Sequence, residues 1–212
     1  MNIHKRAYTK LIPINKIIKI FLGSKERKKV TIEEFCYKNK NPFVRMYFNN
    51  LLKSALNISK YWKKENPIIL DFGCSCQQLK KILKNKNKKF QYIGYDIDQK
   101  YSDIKDYTKV KPDYIFTINV LEHLTKNELQ VFLNNLKKMN PNIRIITAVP
   151  KMNFLSNFLN NITQDMQWEN EVYDIHKSEF KNIQEIMKRN CNLIKSKNYM
   201  LIQNIQLWKL KI

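Results

Sequence analysis

No stretch of this 212-residue chain approaches the roughly 18–20 consecutive apolar residues that a membrane-spanning helix requires. The most apolar part of its N-terminus, Leu11 to Leu22, is broken by Pro13, Lys16 and Lys19, and no small-residue cleavage site follows, so a secretory leader is not expected. Cysteine is sparse. Cys36, Cys74, Cys76 and Cys191 are too few to staple a chain of this length. Cys74 and Cys76 are separated by a single residue and lack a histidine-rich partner motif, which is the wrong spacing for zinc. The thiols therefore read as reduced, in a cytoplasmic protein without a metal site. Acids are also few, 18 against 39 lysines and arginines, for a net charge of +21. Arginine itself is scarce, limited to Arg6, Arg27, Arg45, Arg144 and Arg189. Proteins that grip phosphates or bases bidentately favour arginine's planar fork. The joint excess of lysine, asparagine and isoleucine points instead to an AT-rich coding sequence and a solvated lysine surface. An electrostatic role, RNA included, is the less favoured reading of the same charge.

What is present suffices for one folded domain with an appended segment. Apolar residues make up 43% and aromatics 12%, which excludes a wholly disordered chain. Residues 1–29 carry nine lysines and arginines against Glu26 alone, around Ile12, Ile14, Ile17, Ile18, Phe21 and Leu22. That patch reads first as a cover for the core and second as a peripheral contact with an anionic membrane. From Asn41 to Lys64, Phe43, Met46, Tyr47, Leu51, Leu52, Ala55 and Leu56 recur at helical spacing. Residues 1–65 are thus expected to form a basic helical cap, and residues 66–212 the domain proper.

After Pro67 the period changes. Ile68-Ile69-Leu70 suits a strand buried on both faces, and a short helix with Leu79, Ile82 and Leu83 follows. Phe90 to Tyr95 forms the next strand, a weaker one is expected near Tyr107 to Val110, and Asp113 to Val120 is another. Thr125 with Glu128 makes a capping box for a helix that stops at Asn140-Pro141. Ile143 to Val149 is a strand, Ser178 opens the last helix, and Leu193–Lys197 with Leu201–Lys211 closes as an antiparallel pair. Alternation of this kind predicts an α/β, doubly wound, mostly parallel sheet of seven strands with a C-terminal antiparallel hairpin.

In such sheets ligands sit beyond the carboxyl ends of the strands. Three of these ends carry polar or special residues. Asp71-Phe72-Gly73-Cys74-Ser75-Cys76-Gln77 runs from strand into helix, where Gly73 permits a tight turn and close backbone approach. Asp71 reads either as part of that loop or as a cap for the helix. Asp96 closes the next strand, where a carboxylate can accept both hydroxyls of a ribose. Asn119-Val120-Leu121-Glu122-His123 ends a later one. The G-x-G-x-x-G pattern of nicotinamide enzymes is absent, since only Gly73 stands after the first strand.

Leu70 to Cys74, then Tyr92 to Asp98, then Asp113 to Phe116 leading into Val120-Leu121-Glu122-His123-Leu124, resembles class I S-adenosylmethionine-dependent methyltransferases in order and spacing across roughly residues 66–211. Within these the chain looks most like the group acting on small molecules, lipids or sugars. The resemblance implies a Rossmann-like methyltransferase fold binding S-adenosyl-L-methionine. Asp71, Gly73 and Ser75 would belong to the loop around the methionine moiety, Asp96 would hold the ribose, Ile97 would flank the adenine, and Asn119 and Val120 would face the cofactor. It also places His176, in Tyr173-Asp174-Ile175-His176, near the acceptor. Where the family's loop usually reads glycine, this chain has Ser75 and Gln77. The expected activity is methyl transfer to a small-molecule, lipid-linked or sugar acceptor, with His176 and then His123 as candidate bases. The alternatives are a cofactor-free scaffold of the same fold and an RNA methyltransferase using the lysine-rich face.

Overall fold

The computed structural model describes residues 31, 33–86, 89–151 and 177–211. The expectations for residues 1–29 and for His176 lie outside the described residues. Asn41 accepts a hydrogen bond from the Phe43 amide at 2.9 Å, and Pro42 takes the first helical position, where a missing N–H costs nothing. Helix α1 (Pro42–Ser59) follows and ends at Lys60, in the left-handed region at φ 52°.

Six strands form one sheet among the described residues: β1 (Ile68–Phe72), β2 (Gln91–Tyr95), β3 (Tyr114–Ile118), β4 (Arg144–Pro150), β5 (Cys191–Tyr199) and β6 (Gln203–Leu210). Their order is β2-β1-β3-β4-β6-β5. The first four are parallel, whereas β6 runs antiparallel to both β4 and β5. Three further α-helices lie among the described residues: α2 (Gln78–Lys84), α3 (Lys126–Met139) and α4 (Phe180–Asn190).

Successive residues of a strand face opposite sides, and here both sides are covered. Leu70, Ile115 and Ile145 pack with Leu129, Leu133 and Leu136 of α3, Ile183 and Met187 of α4, and Trp208. Their neighbours Ile69, Phe116 and Ile146 pack instead with Leu51, Leu52, Ala55 and Leu56 of α1 and Leu79 and Leu83 of α2. Truncating one of these leucines to alanine costs about 2–5 kcal/mol. The capping box at α3 forms as the sequence predicts. The Thr125 amide donates to Glu128 Oε2 at 2.7 Å, and the Glu128 amide donates to Thr125 Oγ1 at 3.2 Å.

The strand expected near Tyr107 to Val110 is instead a 3₁₀ turn, Tyr107–Lys109, so the described sheet has six strands where seven were expected. Asp106 Oδ1 takes the Thr108 amide at 3.0 Å and the Thr108 hydroxyl at 2.6 Å, which offers the backbone a local partner in place of a ladder. The turn points the Tyr107 ring at Phe72, with ring centroids 5.0 Å apart, and at Tyr95, 5.1 Å away. Burial of that ring outweighs a short edge strand.

Candidate functional site

The loop from β1 to α2 lies against the end of β2. Gly73 and Cys74 both donate their amides to Tyr95 O, at 2.8 and 3.1 Å, bending the chain sharply away from the sheet. Gly73 has φ +80°, and a Cβ there would stand 2.4 Å from Val120 Cγ2. Glycine is therefore required twice, by conformation and by the close approach of Val120. Ser75 and Gln77 are also left-handed, at φ 41° and 53°.

Asp96 holds this loop. Its Oδ2 accepts the Ser75 amide at 2.8 Å and its Oδ1 accepts the Asp98 amide at 3.0 Å. Each carboxylate oxygen keeps a further lone pair, so the half-buried group retains capacity for two more donors. Ile97 beside it is 68% exposed. Gln77 is anchored on all sides: Nε2 donates to Tyr101 O at 2.9 Å and Asp103 Oδ1 at 3.0 Å, while Oε1 accepts from Lys80 Nζ at 2.9 Å.

Two supports of this loop escape sequence reading. Asp103 Oδ2 accepts the Gly94 amide at 2.8 Å, and the Cys74 thiol donates to Tyr101 O at 3.3 Å. A Cβ on Gly94 would meet Cys74 Sγ at 2.9 Å and Gln77 Nε2 at 3.2 Å, so this glycine lets the loop lie down on β2. A glycine inside a strand was the available signal, since it often marks a close approach. Burial alone would raise the Asp103 carboxyl, yet the Gly94 amide, Gln77 and Lys80 hold it below the ordinary carboxylate range.

Asp71 is buried and accepts the Tyr92 hydroxyl at 2.7 Å. It does not cap α2, whose N-cap, Gln77, makes no side-chain cap bond. Burial pushes its carboxyl up to about 7 against the pull of Tyr92, helped by the nearby Asp96 and Asp103 carboxylates.

At the end of β3, Asn119 sits at φ 55° and donates its amide to Ala148 O of β4 at 2.9 Å. Its Oδ1 is buried without a hydrogen-bond partner among the described residues. A single 3₁₀ turn, Leu121–His123, follows. Glu122 is only 2% exposed, and burial pushes its carboxyl up to about 8 although its own amide bonds it. The Glu122 carbonyl accepts the Lys177 and Ser178 amides at 2.8 and 3.1 Å. The chain just past position 176 is thereby pinned beside Glu122 and His123.

Gly73, Ser75, Asp96, Asn119 and Val120 thus gather at the ends of β1, β2 and β3. Asp71 stands two residues before Gly73, inside β1. The assembly offers a half-buried carboxylate, a left-handed loop and an unpaired amide oxygen. Such a set of acceptors suits a ligand whose vicinal hydroxyls and ammonium donate.

No protein-family model matches the chain, and no curated protein matches it by sequence. Solved structures do. Magnesium protoporphyrin IX methyltransferase (ChlM) of Synechocystis PCC 6803, with bound SAH, aligns over 95% of this chain and 96% of its own at TM-score 0.51 and 10% identity. The pyocyanin biosynthetic protein PhzM aligns over 80% of this chain and 57% of its own at TM-score 0.59 and 9% identity. The small RNA methyltransferase HEN1 aligns over 89% of this chain and 27% of its own at TM-score 0.56 and 14% identity. The chain has the class I methyltransferase fold.

Proposed function

We propose that this chain transfers a methyl group from S-adenosyl-L-methionine to a small-molecule, lipid-linked or sugar acceptor. One observation carries the reading. Ser75 and Gln77 keep the left-handed backbone that glycine would supply, and the Gln77 side chain is tied to Tyr101, Asp103 and Lys80. Both positions thus hold a backbone conformation that glycine adopts readily, which supports the reading. Asp96 would take the ribose hydroxyls on its remaining lone pairs, and Gly73, Ser75, Asn119 and Val120 would surround the methionine moiety, with Asn119 Oδ1 accepting from its ammonium. Ile97 would flank the adenine. That SAH is bound by ChlM on the same fold supports the assignment.

The bound sulfonium would supply an already electrophilic methyl, so the protein's task is to hold the acceptor in line and exclude water. His123 stands next to Glu122 at the end of β3 and is the described candidate for taking an acceptor proton. His176 would share that role on the acceptor side.

Calorimetry with SAH tests the reading. We expect a micromolar or tighter dissociation constant, weakened at least about tenfold by Asp96→Ala through loss of charge-assisted hydrogen bonds. Neither heat nor a thermal shift at millimolar SAH would assign the chain to a cofactor-free scaffold.

A further inference from the structure

The hairpin joining β5 to β6 violates two rules at once. Ile202 donates its amide to Tyr199 O at 3.2 Å, and the central residues Met200 and Leu201 have φ 47° and 59°. This is a type I′ turn, which favours Asn-Gly because both central residues are left-handed. Here both carry large apolar side chains, 55% and 69% exposed. Neither conformation nor burial explains their presence.

Their position is informative. Pro150 pairs with Gln203, Lys151 donates to Ile202 O at 2.7 Å, and Asn119 donates to Ala148 O at 2.9 Å. The turn therefore lies at the same end of the sheet as Gly73, Asp96 and Asn119. The Tyr199 ring lies 5.3 Å from that of Tyr47, and its hydroxyl donates to Tyr47 O at 3.1 Å, which brings the start of α1 alongside. One turn before Tyr47, Phe43 is 73% exposed, and Met46 is 48% exposed. Neither α1 nor the stretch from Cys191 to Lys211 contains a carboxylate side chain, while Lys40, Lys195 and Lys197 are exposed.

We propose that this end of the molecule seats on an anionic lipid surface. Met200, Leu201, Phe43 and Met46 enter the headgroup region and the surrounding lysines meet lipid phosphates. Exposed apolar side chains on elements that carry lysine and no carboxylate suit interfacial binding. A second copy is the poorer occupant, since it would press one chain of net charge +21 against another. Binding does not depend on the methyl-transfer reading. That the docked face presents the open strand ends to a lipid-borne acceptor does rest on it.

Co-sedimentation of the full chain with phosphatidylcholine vesicles containing about one third phosphatidylserine tests the proposal. We expect binding at least about tenfold tighter than to pure phosphatidylcholine, weakening as salt rises. Met200→Asn with Leu201→Gly installs the residues a type I′ turn favours. It should raise the melting temperature, leave SAH affinity unchanged and still lower vesicle binding about tenfold. Phe43→Gln, on a separate element, should lower it as well. Absence of the wild-type chain from the anionic vesicle pellet would overturn the proposal, as would undiminished binding by the turn variant. A concentration-dependent dimer in light scattering that the turn variant breaks would reassign the tip to a second copy.

Discussion

Glu122 lies three positions after Asn119, in the turn that follows β3, and it is buried. Burial raises its carboxyl to about 8, and burial likewise raises Asp71 to about 7. Both groups therefore bind more protons folded than unfolded once the pH passes the ordinary carboxylate range. The stability they allow is complete at acid pH and is lost as the pH rises through their folded values. Melting temperature should consequently fall between about pH 5 and pH 9, and Glu122→Gln should flatten the slope, because a neutral amide incurs no ionisation cost there. A wild-type melting temperature that is level or climbs over that interval would contradict the assignment. The burial of Glu122 was not legible in the sequence. A Leu-Glu-His-Leu run does not reveal that the chain near Lys177 returns to close over it.

At the scale of elements, the loop between β1 and α2 holds a left-handed conformation at Ser75 and Gln77 against the preference of side-chain-bearing residues. The two positions are unequal. Gln77 recovers the cost through its bonds to Tyr101, Asp103 and Lys80, whereas what holds Ser75 is its backbone amide on Asp96. Ser75→Gly keeps that amide and relieves the conformation, so it should stabilise the fold by about 0.5–1 kcal/mol, read as a rise of a few degrees in thermal unfolding. A fall would mean that the Ser75 side chain makes a contact worth more than the strain. The helix signal at Thr125 to Glu128 was plain, because a cap is a local hydrogen bond between near neighbours. The segment Tyr107–Lys109 misled because Tyr-Thr-Lys-Val has strand propensity. Its fate was settled by an aspartate cap and by the rings of Phe72 and Tyr95, distant in sequence.

Across the whole molecule, a net charge of +21 repels itself in the folded state more than in an expanded chain. Described ion pairs such as Lys64–Asp113 and Lys81–Glu33 offset only part of it, and exposed pairs contribute little. Raising sodium chloride from about 0.05 M to about 0.5 M should therefore raise the melting temperature, since screening shortens the reach of the repulsion. A drop over that range would show the ion pairs outweighing the net charge.

By itself the sequence determined the order of strands and helices apart from the segment Tyr107–Lys109, the two-sided burial of β1, and the three strand ends where a ligand is expected. Each of these follows from short-range periodicity, from caps and from the rule that parallel sheets are covered on both faces. Only the tertiary structure decided how Gln77 is disposed, that Val120 packs on Gly73, and that Asp96 clasps the Ser75 amide. Those contacts join segments some 20 to 50 residues apart, and no periodicity along a chain specifies which side chain meets which across a sheet edge.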